Sequence, residues 1–203
     1  MKVKIIRHGE RADYSTPWKW AFSFGHYWAD PPLTENGVDK SYQKGIDIAK
    51  ENNFNPKYIY SSPYLRTMMT ATQLKESFPE SKIVIENLLS EYQNAHQHSV
   101  GLYPKGISTK YNGIDTGFSF PESYNDFNKR AEYILKNLIK DNLENDLFIV
   151  THGEMLKSIA LILMTQFKGL ILNCKGLTYL SMIVFDVDID GNILENTIKF
   201  IKN

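Results

Sequence analysis

The sequence predicts an α/β fold, a single domain over residues 1–203 with a mostly parallel central sheet flanked by helices. Three observations lead there. Short apolar runs (Val3, Ile5 and Ile6; Tyr58 to Ser61; Leu147 to Val150) alternate with segments of helical period. Two of those runs open into the same tripeptide, His8-Gly9-Glu10 and His152-Gly153-Glu154. In an open α/β sheet, ligands bind beyond the carboxyl ends of the strands, so two such exits on adjacent parallel strands would face one crevice. Finally, 203 residues without a low-complexity segment or an internal boundary fit one hydrophobic core.

The first strand leaves through Arg7-His8-Gly9-Glu10-Arg11. Two permanent cations beside a histidine disfavour protonation of the ring and favour an anion next to it. A neutral imidazole keeps a lone pair on whichever nitrogen lacks the proton, as a nucleophile toward phosphate requires. Gly9 would let the backbone approach the same anion. Taken alone, the stretch reads equally well as two solvated arginines around an ordinary loop histidine. The second His-Gly-Glu, at another strand exit, decides for the site.

From Asp13 to Leu33 no helical or alternating period is evident, but all three tryptophans (Trp18, Trp20, Trp28) fall here with Tyr14, Phe22, Phe24 and Tyr27. This reads as a flap over the core that could also wall a pocket for an apolar group. Asp30-Pro31-Pro32-Leu33 is an extended lead-in to a helix capped by Thr34, with Val38, Tyr42, Gly45, Ile46 and Ala49 as its apolar face. After the Tyr58 to Ser61 strand, Ser62-Pro63 reads as a helix cap with proline at the first helical position, which puts Arg66 in the opening turn of a third strand-to-helix exit.

Lys82 to Glu86 alternates as a strand, and Glu91 is the first acid beyond that region. Gln93 to Phe120, broken by Gly101, Pro104, Gly106, Gly113 and Gly117, reads as a long loop for substrate selection or a lid, with His96 and His98 as solvated loop residues. Ser123 to Lys140 is the clearest helix, Met155 to Phe167 a buried one, and Tyr179 to Asp186 with Ile193 to Ile201 the closing strands around an Asp190-Gly191 turn.

Composition excludes several classes. Lysine plus arginine equals aspartate plus glutamate at 23 each, so no global field attracts nucleic acid or an anionic membrane, and any anion site is local. The longest apolar run, Ile159 to Met164, is too short to cross a bilayer. A single cysteine, Cys174, excludes an internal disulfide and a cysteine metal cluster. With neither an N-glycosylation sequon nor an apolar leader, a reducing, cytoplasmic setting is expected. No Gly-x-Ser-x-Gly elbow or Gly-x-Gly-x-x-Gly fingerprint occurs, and Gly101 to Gly106 is followed by Ile107 rather than the lysine of a P-loop.

With these residues collected, the sequence resembles the histidine phosphatase superfamily, the phosphoglycerate-mutase-like group, through Arg7-His8-Gly9 and the distant His152-Gly153. Within it, the chain looks most like the phosphatase domain of the suppressor-of-T-cell-receptor-signalling (Sts) proteins and the ecdysteroid-phosphate phosphatases. That likeness rests on Arg7 to Asp13, Asp30-Pro31-Pro32-Leu33-Thr34 with Gly37, Ser61-Ser62-Pro63 with Arg66 and Thr70-Ala71, and Pro121-Glu122-Ser123-Tyr124. Arg11 is the sharpest marker of that subgroup. The asparagine and tryptophan context of the mutases is not recognisable, which counts against mutase activity.

The resemblance implies a phosphomonoester hydrolase in which His8 attacks phosphorus and forms a phosphohistidine, with Arg7, Arg11, Arg66 and His152 on the equatorial oxygens. It implies Glu91 as the acid that protonates the leaving oxygen, with Glu10 and Glu154 as competitors. No metal and no cofactor are expected, since three arginines neutralise the phosphate. A metallohydrolase on His8, Asp13 and His152 is the weaker reading. Phosphoglycerate-mutase-type transfer and a non-catalytic module that binds phosphorylated ligands are the alternatives. The aromatic segment and long loop suggest aryl or bulky phosphates, phosphotyrosine among them, on a small molecule or a phosphoprotein, and the resemblance carries a homodimer.

Overall fold

The computed structural model describes residues 1–15, 17–22, 30–51, 53–93 and 120–203. Its strands are β1 Lys2–Arg7, β2 Pro56–Ser61, β3 Lys82–Ile85, β4 Asp146–Thr151, β5 Met182–Val187 and β6 Ile193–Ile201. They form one sheet in the order β3-β2-β4-β1-β5-β6. The first four run parallel, while β5 is antiparallel to both β1 and β6. The sheet is mostly parallel, as expected, with β5 as its antiparallel member, and it closes in a hairpin whose turn uses Gly191 at φ 88°, a value glycine adopts without a Cβ clash.

Helices are α1 Ala12–Ser15, α2 Pro17–Phe22, α3 Glu35–Ala49, α4 Leu65–Lys75, α5 Tyr124–Asp141 and α6 Gly153–Gln166, with a 3-10 turn at Asn87–Leu89. Successive strand side chains point to opposite faces, and each face has its own core. Val3, Ile5, Leu147 and Ile149 pack with Phe127, Ile134 and Leu135 of α5 and with Met155 and Ile159 of α6. Ile6, Ile59, Phe148 and Val150 pack with Ile48 of α3 and with Ala71 and Leu74 of α4.

β1 and β4 are neighbours in parallel register, Ile6 opposite Val150 and Arg7 opposite Thr151, and Ser61 of β2 also lies opposite Val150. Three strand exits therefore end at one level. Backbone bonds tie them together beyond the ladder, with the amides of His8 and Ser62 donating to the carbonyls of Thr151 (2.9 Å) and Val150 (3.1 Å).

Several local expectations change. α4 begins at Leu65 with Tyr64 as its N-cap residue, so Ser62 and Pro63 do not start the helix. The cap comes from outside: both Asp30 carboxylate oxygens accept from the Leu65 amide, at 2.9 and 2.8 Å. α6 starts at Gly153, with His152 as its N-cap residue, and so takes in the last two residues of the second His-Gly-Glu. α3 is capped by Thr34 as expected but buries Gly37, Ser41, Gly45 and Ile48, while Tyr42 is exposed. Small residues win that face because α3 lies close to the exit loop of β1. A Cβ on Gly9 would meet Ser41 Oγ at 2.7 Å and the Gly37 carbonyl oxygen at 2.9 Å. Gly9 is thus required by helix packing. Short helices α1 and α2 occupy part of the aromatic segment that showed no period, whereas Phe24, Tyr27, Trp28, His96, His98 and almost all of the Gln93 to Phe120 stretch lie outside the described residues.

Candidate active site

His8 stands at the end of β1, 1% exposed. Its Nδ1 lies 2.8 Å from the Gly9 carbonyl oxygen. A carbonyl only accepts, so Nδ1 carries the proton and Nε2 keeps the lone pair. Burial and the charges of Arg66, Arg7 and Arg11 hold the ring's pKa well below the ordinary histidine value of 6.5, partly offset by the Gly9 bond. The result is a neutral imidazole of one defined tautomer.

Three guanidinium groups flank it, each fixed differently. Arg7 Nη1 donates to the Leu177 carbonyl (2.8 Å), and the group lies 4.5 Å over the Tyr179 ring. Arg11 is held bidentate by Asp13, with Nε to Oδ1 at 3.0 Å and Nη2 to Oδ2 at 2.6 Å. Arg66, 3% exposed, reaches Asp30 with Nη1 (3.4 Å) and His152 Nδ1 with Nη2 (3.2 Å). Among the described residues, the buried Nε–H groups of Arg7 and Arg66 have no partner. An unmet buried donor costs about 1–3 kcal/mol, more on a charged group. An oxyanion bound beside His8 would remove that cost.

His152 is fully buried, 5.4 Å from His8 ring to ring. Its Nε2 is 2.7 Å from Ser62 Oγ while Nδ1 faces Arg66. Arginine only donates, so Nδ1 accepts, Nε2 carries the proton, and the Ser62 hydroxyl accepts it. Burial and the Arg66 charge keep this ring neutral too. That use of Ser62 explains why it does not cap α4.

The three candidate acids separate. The Glu10 carboxylate is engaged by the Thr34 hydroxyl (2.8 Å) and Asn36 (3.3 Å) at the start of α3. Glu154 lies on the cavity wall but pairs with Lys157 at 2.6 Å. Glu91 lines the same cavity as His8, its Oε2 3.9 Å from His152 Nδ1. Burial raises its carboxyl pKa above the ordinary 4.5 against the pull of Arg66. Asp13, the third member of a metallohydrolase set, is occupied by Arg11, and no cluster of three or more His, Cys, Asp or Glu is placed to hold a metal among the described residues.

Above this floor opens a cavity of about 1050 Å³, walled by Tyr14, Tyr92, Ile171, Leu172 and Leu177 with Lys157 and Lys175 among them. Of the aromatic segment, Tyr14 reaches it, stacked 4.3 Å from the Arg11 guanidinium, while Trp18 is 78% exposed. The structure therefore brings together Arg7, His8, Arg11, Arg66, Glu91 and His152, all six expected site residues. Sequence reasoning missed Ser62, Tyr179 and the anchoring roles of Asp13 and Asp30. Ser62 and Asp30 were inside recognised motifs, but nothing in their spacing tells which partner they meet.

Two solved structures similar to this chain are phosphatases in complex with a ligand. Ecdysone phosphate phosphatase of Bombix mori, in complex with tungstate, matches with a TM-score of 0.64 at 19% identity, covering 95% of this chain and 91% of that one. Phosphoserine phosphatase of Entamoeba histolytica, in complex with 3-phosphoglyceric acid, matches with a TM-score of 0.63 at 20% identity, covering 100% and 97%. Identities this low speak for the fold. In sequence, an uncharacterized phosphoglycerate mutase family protein of Acanthamoeba polyphaga mimivirus is 48% identical over 188 residues, 93% of this chain and 91% of the relative. The family description "Histidine phosphatase superfamily (branch 1)" matches residues 3–197. With its paired histidines and arginines at the exits of β1, β2 and β4, the chain belongs to the histidine phosphatase superfamily, branch 1.

Proposed function

We propose that this protein is a metal-independent phosphomonoester hydrolase working through a phosphohistidine on His8. One observation carries the reading: a neutral, buried His8 whose only lone pair is on Nε2, ringed by arginines with unmet buried N–H donors. Nε2 attacks phosphorus in line with the leaving oxygen, and the P–O bond breaks as the P–N bond forms. Glu91 gives its proton to that oxygen. A water then attacks phosphorus, its proton passes to the Glu91 carboxylate, and His8 recovers its lone pair. Arg7, Arg11 and Arg66 hold the equatorial oxygens throughout, in a sheltered site where fixed charges need no reorganisation. With a phosphate oxygen in place of the Nδ1 lone pair as acceptor for Arg66, a proton taken up at His152 Nδ1 makes that ring a further donor.

Substrate is an aryl or otherwise bulky phosphate, phosphotyrosine among the class. The apolar and aromatic wall of Tyr14, Tyr92, Ile171, Leu172 and Leu177, and a cavity at the upper end of the range for drug-sized ligands, support that. The lone Cys174 supports a reducing compartment such as the cytoplasm. Pairing of two copies belongs to the same reading and is tested by sedimentation.

The test is hydrolysis of para-nitrophenyl phosphate in the presence of a chelator, by wild type and His8→Ala. Chelator-resistant hydrolysis that vanishes in His8→Ala is expected. Activity persisting in that variant refutes the nucleophile, and an inert wild type redirects the assignment to phosphoglycerate exchange or to binding without turnover. Small phosphorylated sugars turned over with much higher kcat/KM than aryl phosphates would overturn the substrate class.

A further inference from the structure

The Pro121-Glu122-Ser123-Tyr124 motif takes no part in the chemistry above. Its glutamate meets Arg130, eight residues on and one face of α5 away, in an ion pair buried on both sides. Arg130 has five N–H donors and uses all of them. Nη1 donates to the carbonyls of Leu88 (2.5 Å) and Ser90 (3.1 Å), and Nη2 to the carbonyl of Glu91 (3.3 Å) and to Glu122 Oε1 (2.6 Å). Nε donates to Glu122 Oε2 at 2.9 Å. Glu122 closes the far side: its amide donates to the Gln93 carbonyl (3.0 Å), and Oε1 accepts from the Gln93 amide (3.3 Å).

The segment gripped in this way, Leu88 to Gln93, carries Glu91 and has no sheet partner among the described residues. Three of its carbonyls face Arg130 of α5, and that of Leu89 accepts from the Thr151 hydroxyl of β4 at 2.7 Å. One planar guanidinium satisfies three of them, and a carboxylate in turn fixes that guanidinium at two points. Lysine, with three donors on a flexible stem and no planar fork, cannot reproduce it.

We infer that Arg130, with Glu122, is the positioning residue for the Glu91 carboxyl, setting where it stands over the leaving oxygen. The inference rests on the reading of Glu91 as general acid. It separates from a merely structural role by the leaving group. A general acid matters for an alkoxide, which is a poor leaving group, and little for a dinitrophenolate, which leaves unprotonated. A structural residue lowers turnover of both alike.

The experiment compares kcat/KM for an alkyl phosphate and for 2,4-dinitrophenyl phosphate in wild type, Glu91→Gln, Arg130→Lys and the double variant. Expected are an alkyl-selective loss of about 10²- to 10⁴-fold in Glu91→Gln, and an alkyl-selective loss of about 10²-fold in Arg130→Lys, the scale of a ~1 Å misplacement. The double variant should match Glu91→Gln alone, because a positioning residue has nothing left to position. Equal loss on both substrates in Arg130→Lys, or full additivity in the double variant, overturns the inference. If Arg130→Lys does not fold by circular dichroism, Glu122→Gln, which keeps the volume and one acceptor, carries the same cycle. Loss of selectivity in Glu91→Gln itself would remove the acid and the inference together, while dinitrophenyl phosphate turnover dependent on His8 would leave the phosphatase reading standing.

Discussion

At His8 two independent effects act in one direction: burial removes the water that would stabilise an imidazolium, and Arg66, Arg7 and Arg11 repel one. The ring therefore stays unprotonated well below pH 6.5. Glu91 is shifted the opposite way, above 4.5, so its acid form persists to higher pH. The proposed mechanism needs His8 without its Nε2 proton and Glu91 with its carboxyl proton. For an alkyl phosphate, kcat/KM should therefore fall on the acid side through the depressed His8 pKa and on the alkaline side through the raised Glu91 pKa. Glu91→Gln should lose the alkaline limb beyond that due to substrate ionisation. An unchanged alkaline limb in that variant would move the acid role to another group. The substrate's own second ionisation, near pH 6, is common to both proteins and cancels in the comparison.

At the scale of elements, the exit loop of β1 and helix α3 are fitted to one another by close atomic contact as well as through the Glu10 carboxylate. Gly9 lies against Gly37 and Ser41, and a Cβ on Gly37 would come within 2.6 Å of the Glu10 carbonyl oxygen. Gly9→Ala must push backbone as well as a hydroxyl, and overpacking of this kind costs about 1–3 kcal/mol. Chemical denaturation should read that loss as a lower midpoint with the slope unchanged. Turnover should fall as well, since Gly9 supplies the carbonyl that fixes the His8 tautomer. On the other side of the site, Asp30 joins the amino end of α4 to Arg66, so one carboxylate both caps the helix and steadies the guanidinium.

For the whole molecule, the site is a seam. Residues from the ends of β1, β2 and β4, the Glu91 segment and the Leu177–Tyr179 stretch before β5 meet over both hydrophobic cores. An oxyanion that binds the native seam and not the unfolded chain must stabilise the entire fold, by about 2.7 kcal/mol at a hundredfold excess over Kd. Tungstate should accordingly raise the Tm of the wild type. Arg66→Ala should abolish most of that rise at the same concentration. A wild-type Tm indifferent to tungstate would mean that the unmet Nε–H groups of Arg7 and Arg66 do not form an anion site.

Much of this was legible in the chain itself. Apolar runs announce the strands because a buried parallel strand is apolar on both faces, and His8 and His152 stand out because each follows such a run within a repeated tripeptide. Helix α5, with its apolar positions at i, i+3 and i+4, was readable to within a residue at each end. Where small residues replace apolar ones the pattern fails: α3 buries Gly37, Ser41 and Gly45 because close approach, not hydrophobicity, selects that face. The partners of Ser62, Asp30, Asp13 and Arg130 were not legible either. A hydroxyl, a carboxylate or a guanidinium satisfies many neighbours equally well, and only the packed chain determines which of them is within reach. Local periodicity and residue chemistry thus determined the α/β class and the strand exits, and the resemblance to the family pointed to the six residues gathered there. Which nitrogen of His8 holds its proton, and which carboxylate shares its cavity free of a lysine, were decided by tertiary structure, because both depend on contacts between segments far apart in sequence.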